Sequence, residues 1–184
     1  AQKGNLGVGL KILMHGHQVH PDNYVIRQRM GDFQFRIFDA KIRELTDALK
    51  TNPSDEKAKH DLETIRQKRR KFAVQEYGYR VQRYPTDLSL RMKYGAALFD
   101  DGQIDRAIAE FQLCVGDPRY HVECCNRLGQ CFDVKGQYDL AVGQYRRALE
   151  GKTMMDDVAK EIHYNLATAL EHEGDLSEAL AEYK

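Results

Sequence analysis

The sequence of 184 residues has no tryptophan and only four prolines. Proline inside a helix costs about 3 kcal/mol or more, so a chain this poor in it leaves helical stretches largely unbroken. No apolar run approaches the ~18 residues that a membrane-crossing helix requires, and no membrane insertion is expected in this segment. No cleavable leader opens the sequence. The four cysteines, at 114, 124, 125 and 131, form no C-x-x-C pair, which excludes the usual zinc and thioredoxin-like spacings. Phosphate-cradling glycine loops, the nucleophile elbow and H-E-x-x-H are all missing, so neither an enzyme nor a cofactor is expected. An excess of one charge is missing too, with 28 Lys/Arg against 28 Asp/Glu. The balance is nonetheless split: residues 1–100 hold 19 Lys/Arg against 12 Asp/Glu, and residues 101–184 hold 9 against 16. Such a chain is dipolar rather than a polyanion binder.

What is present is a stretch that says the same thing twice. Shifted by 34 residues, Gly95 falls on Gly129, Gly102 on Gly136, Gln103 on Gln137, Asp105 on Asp139 and Ala107 on Ala141. Between the identities like meets like: Ile108 on Val142, Phe111 on Tyr145, Val115 on Leu149. Within one unit, Leu90, Tyr94, Ala97 and Leu98 recur at helical spacing. Asp100-Asp101-Gly102-Gln103 then interrupts, with Gly102 able to take the left-handed backbone that ends a helix. Ile104, Ala107, Ile108, Phe111 and Val115 make a second apolar face. The unit is a helical hairpin that cannot bury its faces alone, so neighbouring units must stack.

This pattern resembles the tetratricopeptide repeat (TPR) family, on Tyr94-Gly95, Gly102, Ala107, Phe111 and Cys114 in one unit. Leu128-Gly129, Gly136, Ala141, Tyr145 and Ala148 carry it in the next. The resemblance implies an all-α fold, a right-handed α-α superhelix of antiparallel hairpins, cut from a longer protein. It also implies a non-catalytic scaffold that binds a protein or peptide in its concave groove.

In order along the chain, residues 1–23 are expected to be a partial repeat, with Lys3-Gly4-Asn5-Leu6 as the turn between two helices. Residues 24–55 and 56–87 are expected to be degenerate repeats, closed by Pro53 and Pro85. In the first of these, Met30-Gly31 supplies the large-small pair, and Phe33, Phe35, Ile37 and Phe38 pack a tightened corner. In the second no glycine or proline intervenes between Glu56 and Tyr77, so a kink around Gln67–Arg70 and a single long helix both stay open. Residues 88–121 and 122–159 are the well-matched repeats, the latter with an extension at Gly151-Lys152-Thr153-Met154-Met155. Residues 160–184 are a partial repeat with Leu166-Ala167, Gly174, Ala179 and Tyr183 in place. Both ends fall in mid-repeat, and the exposed terminal repeats invite self-assembly.

Other chemistry is weaker. His15, His17 and His20 have no acidic ligand beside them, and Cys124, Cys125 and Cys131 with His121 have helix-packing geometry rather than ligand geometry. Buried free thiols suit a reducing compartment, and the cytoplasm is the expected location. The basic run Arg66 to Lys71 lacks aromatics for base stacking, so a solvated face or an acidic protein partner is favoured over nucleic acid. In the family the first helix of each unit lines the groove. Carried over position by position, that surface comprises Arg29, Lys93, Asn126, Arg127, Gln130, Tyr164 and Asn165, with Gln28 and Thr168 beside them. Lys93, Arg127 and Asn165 would form a stripe able to hold a carboxylate and peptide amides.

Overall fold

The computed structural model describes residues 3–150 and 156–183. Every regular element among them is helical: α1 (Lys3–Val19), α2 (Tyr24–Thr51), α3 (Glu56–Arg83), α4 (Leu88–Asp100), α5 (Ile104–Cys114), α6 (His121–Val134), α7 (Tyr138–Leu149), α8 (Asp156–Glu173) and α9 (Leu176–Glu182). The chain divides into two compact units, Ala1–Arg80 and Val81–Lys184.

The first unit departs from the expected repeats. Residues 3–6 lie inside α1 rather than in a turn, and α2 and α3 are each one continuous helix of 28 residues. The reason lies in the residues that stand where Gly102 stands in the good repeat. Aligned on the large-small pair, those places hold Phe38 and Arg70. Neither takes a positive φ without steric cost, so the helix runs through, and the long-helix alternative holds for residues 56–83. What the sequence does mark is the break between helices. Asn23 caps α2 through a bond from Ile26 N to its Oδ1 (3.2 Å), and Asp55 does the same for Ala58 N (2.9 Å).

The two long helices run antiparallel, pairing Tyr24 with Tyr79, Phe35 with Phe72 and Asp39 with Arg69. Phe35 meets Phe72 edge-on at 5.0 Å and stacks on Tyr77 at 5.4 Å, and Phe38 also packs on Phe72. Phe35 and Phe38 thus serve the α2–α3 seam rather than a corner, while Phe33 packs beside Gly9 of α1. Burial raises the Tyr77 hydroxyl pKa above its ordinary value, against the pull of Arg80 and Arg69. Beside this seam lies a buried ionic network. Glu76 accepts from Arg27 Nη1 (2.7 Å) and Arg80 Nε (2.9 Å), and Arg80 also donates to Asp32 Oδ1 and to the Gln28 carbonyl. Gly31 makes room for it, since a Cβ there would lie 2.2 Å from Glu76 Oε1.

The second unit is three hairpins, α4–α5, α6–α7 and α8–α9. Each turns on a glycine of positive φ: Gly102 (78°), Gly136 (69°) and Gly174 (99°). The same backbone bond closes each turn, from Gln103 N to Leu98 O, Gln137 N to Phe132 O and Asp175 N to Leu170 O, at 2.8, 2.9 and 2.9 Å. Inside the hairpins Ala107, Phe111, Ala141, Tyr145 and Ala148 are fully buried. The four cysteines are free and buried, and desolvation pushes the Cys124 and Cys131 thiols up to about 12. The extension at residues 151–155 lies outside the described residues, and α8 begins at Asp156, before the repeat boundary expected at 160.

Candidate functional site

In the second unit the first helices of successive hairpins touch. Cys124 Sγ of α6 lies 3.2 Å from Met92 Sδ of α4, and α6 meets α8 through polar side chains. Along an α-helix, residues three and four apart share a face, and α6 uses this to present two surfaces. Cys124, Cys125, Leu128 and Cys131 point into the core, while Arg127 and Gln130 stand half-exposed.

Between them, Asn126 is only 8% exposed yet fully engaged. Its Nδ2 donates to Glu161 Oε1 (3.2 Å), and its Oδ1 accepts from Asn165 Nδ2 (3.1 Å). Gln130 Nε2 reaches the same Glu161 oxygen at 3.4 Å, while Gln130 Oε1 accepts from Arg127 Nη1 (3.1 Å). The result is a chain of amides running across α6 and α8, with a carboxylate at its centre and a guanidinium at one end. Buried polar groups cost free energy unless paired, so the bonds to Asn126, the one buried member, are held in place, while Glu161 is exposed and Arg127, Gln130 and Asn165 are half-buried.

Of the sequence-derived residues, the structure joins Asn126, Arg127, Gln130 and Asn165. Tyr164 is 63% exposed on α8, its ring 5.9 Å from that of Tyr183, and Thr168 Oγ1 donates to the Tyr164 carbonyl. Lys93 is exposed on α4, and Arg29 is exposed on α2 in the first unit. The expected stripe of Lys93, Arg127 and Asn165 is thus modified, because Asn165 bonds Asn126 and Arg127 bonds Gln130. Glu161 was missed. It lies on α8 one turn before Asn165, outside the residues carried over from the family. A cavity of about 410 Å3 adjoins, lined by Lys160, His163, Tyr164, Ala181, Glu182 and Tyr183. Its wall includes the His163 Nδ1–Glu182 Oε2 contact at 2.6 Å.

The alternative centres have other partners. His121 Nδ1 lies 2.9 Å from the Val115 carbonyl and its Nε2 lies 3.7 Å from Cys125 Sγ. In the basic run, Arg69 binds Asp39 and Arg70 binds Glu63, each at 2.7 Å. Among the described residues no helix is long and apolar enough to cross a membrane.

Comparison with known proteins places this architecture. The family described as tetratricopeptide repeat matches residues 126–184. No curated protein sequence matches the chain. Among solved structures, MamA is similar with a TM-score of 0.57 at 18% identity, covering 84% of this chain and 89% of its own. YrrB, described as a TPR protein with an unusual peptide-binding site, is similar with a TM-score of 0.57 at 15% identity, covering 92% and 88%. TTC0263, a thermophilic TPR protein of Thermus thermophilus, is similar with a TM-score of 0.53 at 24% identity, covering 84% and 85%. These likenesses show the fold.

Proposed function

We propose that this chain, whose residues 126–184 match the tetratricopeptide repeat family, is a non-catalytic scaffold whose second unit captures an extended peptide across α6 and α8. The family and its fold support protein–protein interaction in general. The observation that carries the finer reading is the amide network of Asn126, Asn165, Gln130 and Glu161. Asn126 is buried and held within the network, whereas the half-buried Asn165 and Gln130 each keep a second N–H and a second oxygen lone pair, which match the alternating N–H and C=O of an extended backbone. Rigid helices hold them in place before the partner arrives, which lowers the ordering cost of binding. Lys93 and Arg127 favour an acidic group on the partner, and Glu161, bonded to Asn126 and Gln130 from α8, restrains that preference by adding a negative charge. Four buried thiols fit a reducing compartment such as the cytoplasm.

Selection of a displayed library of linear peptides on the chain, followed by titration of the selected peptides, tests this reading. Asn165→Ala with Arg127→Glu should weaken them by at least about tenfold, or roughly 1.4 kcal/mol, while the thermal melt holds. A library that yields no binder, or binders indifferent to both substitutions, would count against the site.

A further inference from the structure

Along α2 runs a single file of three arginines. Arg29, Arg36 and Arg43 stand seven residues apart, and all are exposed. The rise of an α-helix puts their Cα atoms about 10.5 Å apart, and two turns bring each within about 20° of the one before. The packed faces of α2 lie elsewhere. One rests on α1, where Phe33 lies against Gly9 and Ile26 against Gly16. The opposite one rests on α3, where Phe35 meets Phe72 and Asp39 meets Arg69. On the helical wheel the arginines fall about a right angle from both, so their edge is open while both neighbouring helices are in place.

Among the described residues no carboxylate pairs with any of the three; Arg36 only leans over the Phe33 ring at 5.3 Å. The acids of α2 are engaged elsewhere. Asp32 and Asp39, which alternate with the arginines, are held by Arg80 and Arg69 of α3, each at 2.7 Å. Glu44 faces Lys41 and Asp47 faces Lys50. On α3, Glu56 pairs with Lys59, Glu63 with Arg70, and Glu76 with Arg27 and Arg80. Asp61 is exposed there, five turns from Tyr79 and on its side, and that side meets Arg27 at the other edge of α2. Helix α1 has no Asp or Glu, and Asp22 stands before α2, two turns short of Arg29. The row therefore keeps its three positive charges.

We propose that this edge of α2 docks an acidic helix of a partner protein whose carboxylates recur every seven residues. A guanidinium is a planar fork that fits a carboxylate through two bonds. A helix repeats its side chains at the arginines' own interval, and two such rows stay in register as the helices wind round each other, as the ion pairs flanking a coiled coil do. An extended strand cannot match it, because residues on one side of a strand lie about 6.6 or 13 Å apart. Nucleic acid is disfavoured too, since bases need exposed rings to stack on. Here Phe33 lies beneath Arg36 and Tyr77 beneath Arg80. The proposal uses the first unit alone and stands or falls apart from peptide capture by the second.

The test is an NMR titration of the isotope-labelled chain in low-salt buffer, read at the arginine side-chain N–H signals. One probe is an alanine-based helical peptide with glutamate at every seventh place. The other is an isomer of the same composition with its glutamates five places apart, which scatters them around the helix. The signals of Arg29, Arg36 and Arg43 should move together with the first peptide. The isomer should need at least about a fourfold higher concentration, because it meets one arginine at a time and each exposed ion pair contributes about twofold or more. Arg29→Gln, Arg36→Gln and Arg43→Gln combined should abolish that preference while the circular-dichroism melt holds. If the triple variant melts early, Arg36→Gln alone breaks the row at its centre and should lower the preference about twofold. Signals that stay still, equal binding of the two peptides, or a preference that survives the substitutions would overturn the proposal. So would an oligothymidylate that moves the three signals at a lower concentration than the first peptide, which would assign the edge to nucleic acid.

Discussion

Gly129 and the ring of Tyr145 share one space: a Cβ on Gly129 would stand 2.4 Å from Tyr145 Cε1. One repeat earlier, a Cβ on Gly95 would stand 2.7 Å from Phe111 Cε1. Both rings are fully buried and cannot step aside. Gly129→Ala should therefore lower stability by about 1–3 kcal/mol through overpacking, despite the better helix propensity of alanine. Gly95→Ala should act in the same direction. Urea unfolding of each variant measures it, and a stabilised Gly129→Ala would show that the helix pair has slack.

Glu76 is the point on which two arginines converge. Removing it by Glu76→Ala takes that carboxylate from Arg27 and leaves the buried Arg80 with Asp32 and the Gln28 carbonyl alone. Breaking a buried ion pair from one side typically costs about 3–5 kcal/mol. Amide hydrogen exchange should report the loss in α2 and α3, and unaltered protection there would refute a structural role for the network.

Asp133 ties stability to pH. Its Oδ2 accepts from the Tyr145 hydroxyl, its Oδ1 is buried without a partner, and burial raises its pKa above the ordinary carboxyl value of 3.8. A folded-state pKa above the unfolded one means the folded chain holds the proton more tightly. The stability this group contributes is thus fully present below pH 3.8 and is lost as pH rises through the folded value. Asp133→Asn should flatten that decline, so urea melts at pH 4.5 and pH 7 should differ less in the variant than in the parent. Asp117, held down to about 2 by its hydrogen bonds from Arg119, acts in the opposite sense and is common to both proteins. An identical pH dependence would remove Asp133 from the account.

Thiol reactivity should follow burial. With all four cysteines fully buried, and Cys124 and Cys131 pushed up to about 12, little thiolate is present near neutrality. A chromogenic disulfide reagent at pH 8 should react slowly in native buffer and rapidly with all four thiols in denaturant. A fast native burst of one equivalent would locate a sulfur that opens to water.

The second unit could be read from sequence because each local choice agrees with the packing. Gly102 and Gly136 turn, Gly95 and Gly129 admit a ring, and Phe111 and Tyr145 supply it. The first unit could not, since Met30-Gly31 imitates a repeat signature for another reason: Gly31 clears space for the Glu76 carboxylate. The small residue was visible, while its neighbour 45 positions later in the sequence was not. At the candidate site, the helix frame placed Asn126, Arg127, Gln130 and Asn165 correctly on α6 and α8. It gave no means of choosing among hydrogen-bond partners, which depend on rotamers, and so neither the Asn165–Asn126 bond nor the part of Glu161 was legible in it.

The three glycine turns are interchangeable parts. Leu98 O to Gln103 N and Phe132 O to Gln137 N close rings of the same size around Gly102 and Gly136. Excising residues 103–136 would join Gly102 to Gln137 in a register both already occupy. A chain constructed this way can be lengthened or shortened by whole segments at little cost, so the number of hairpins is a free variable, and its reach can change without redesigning a single joint.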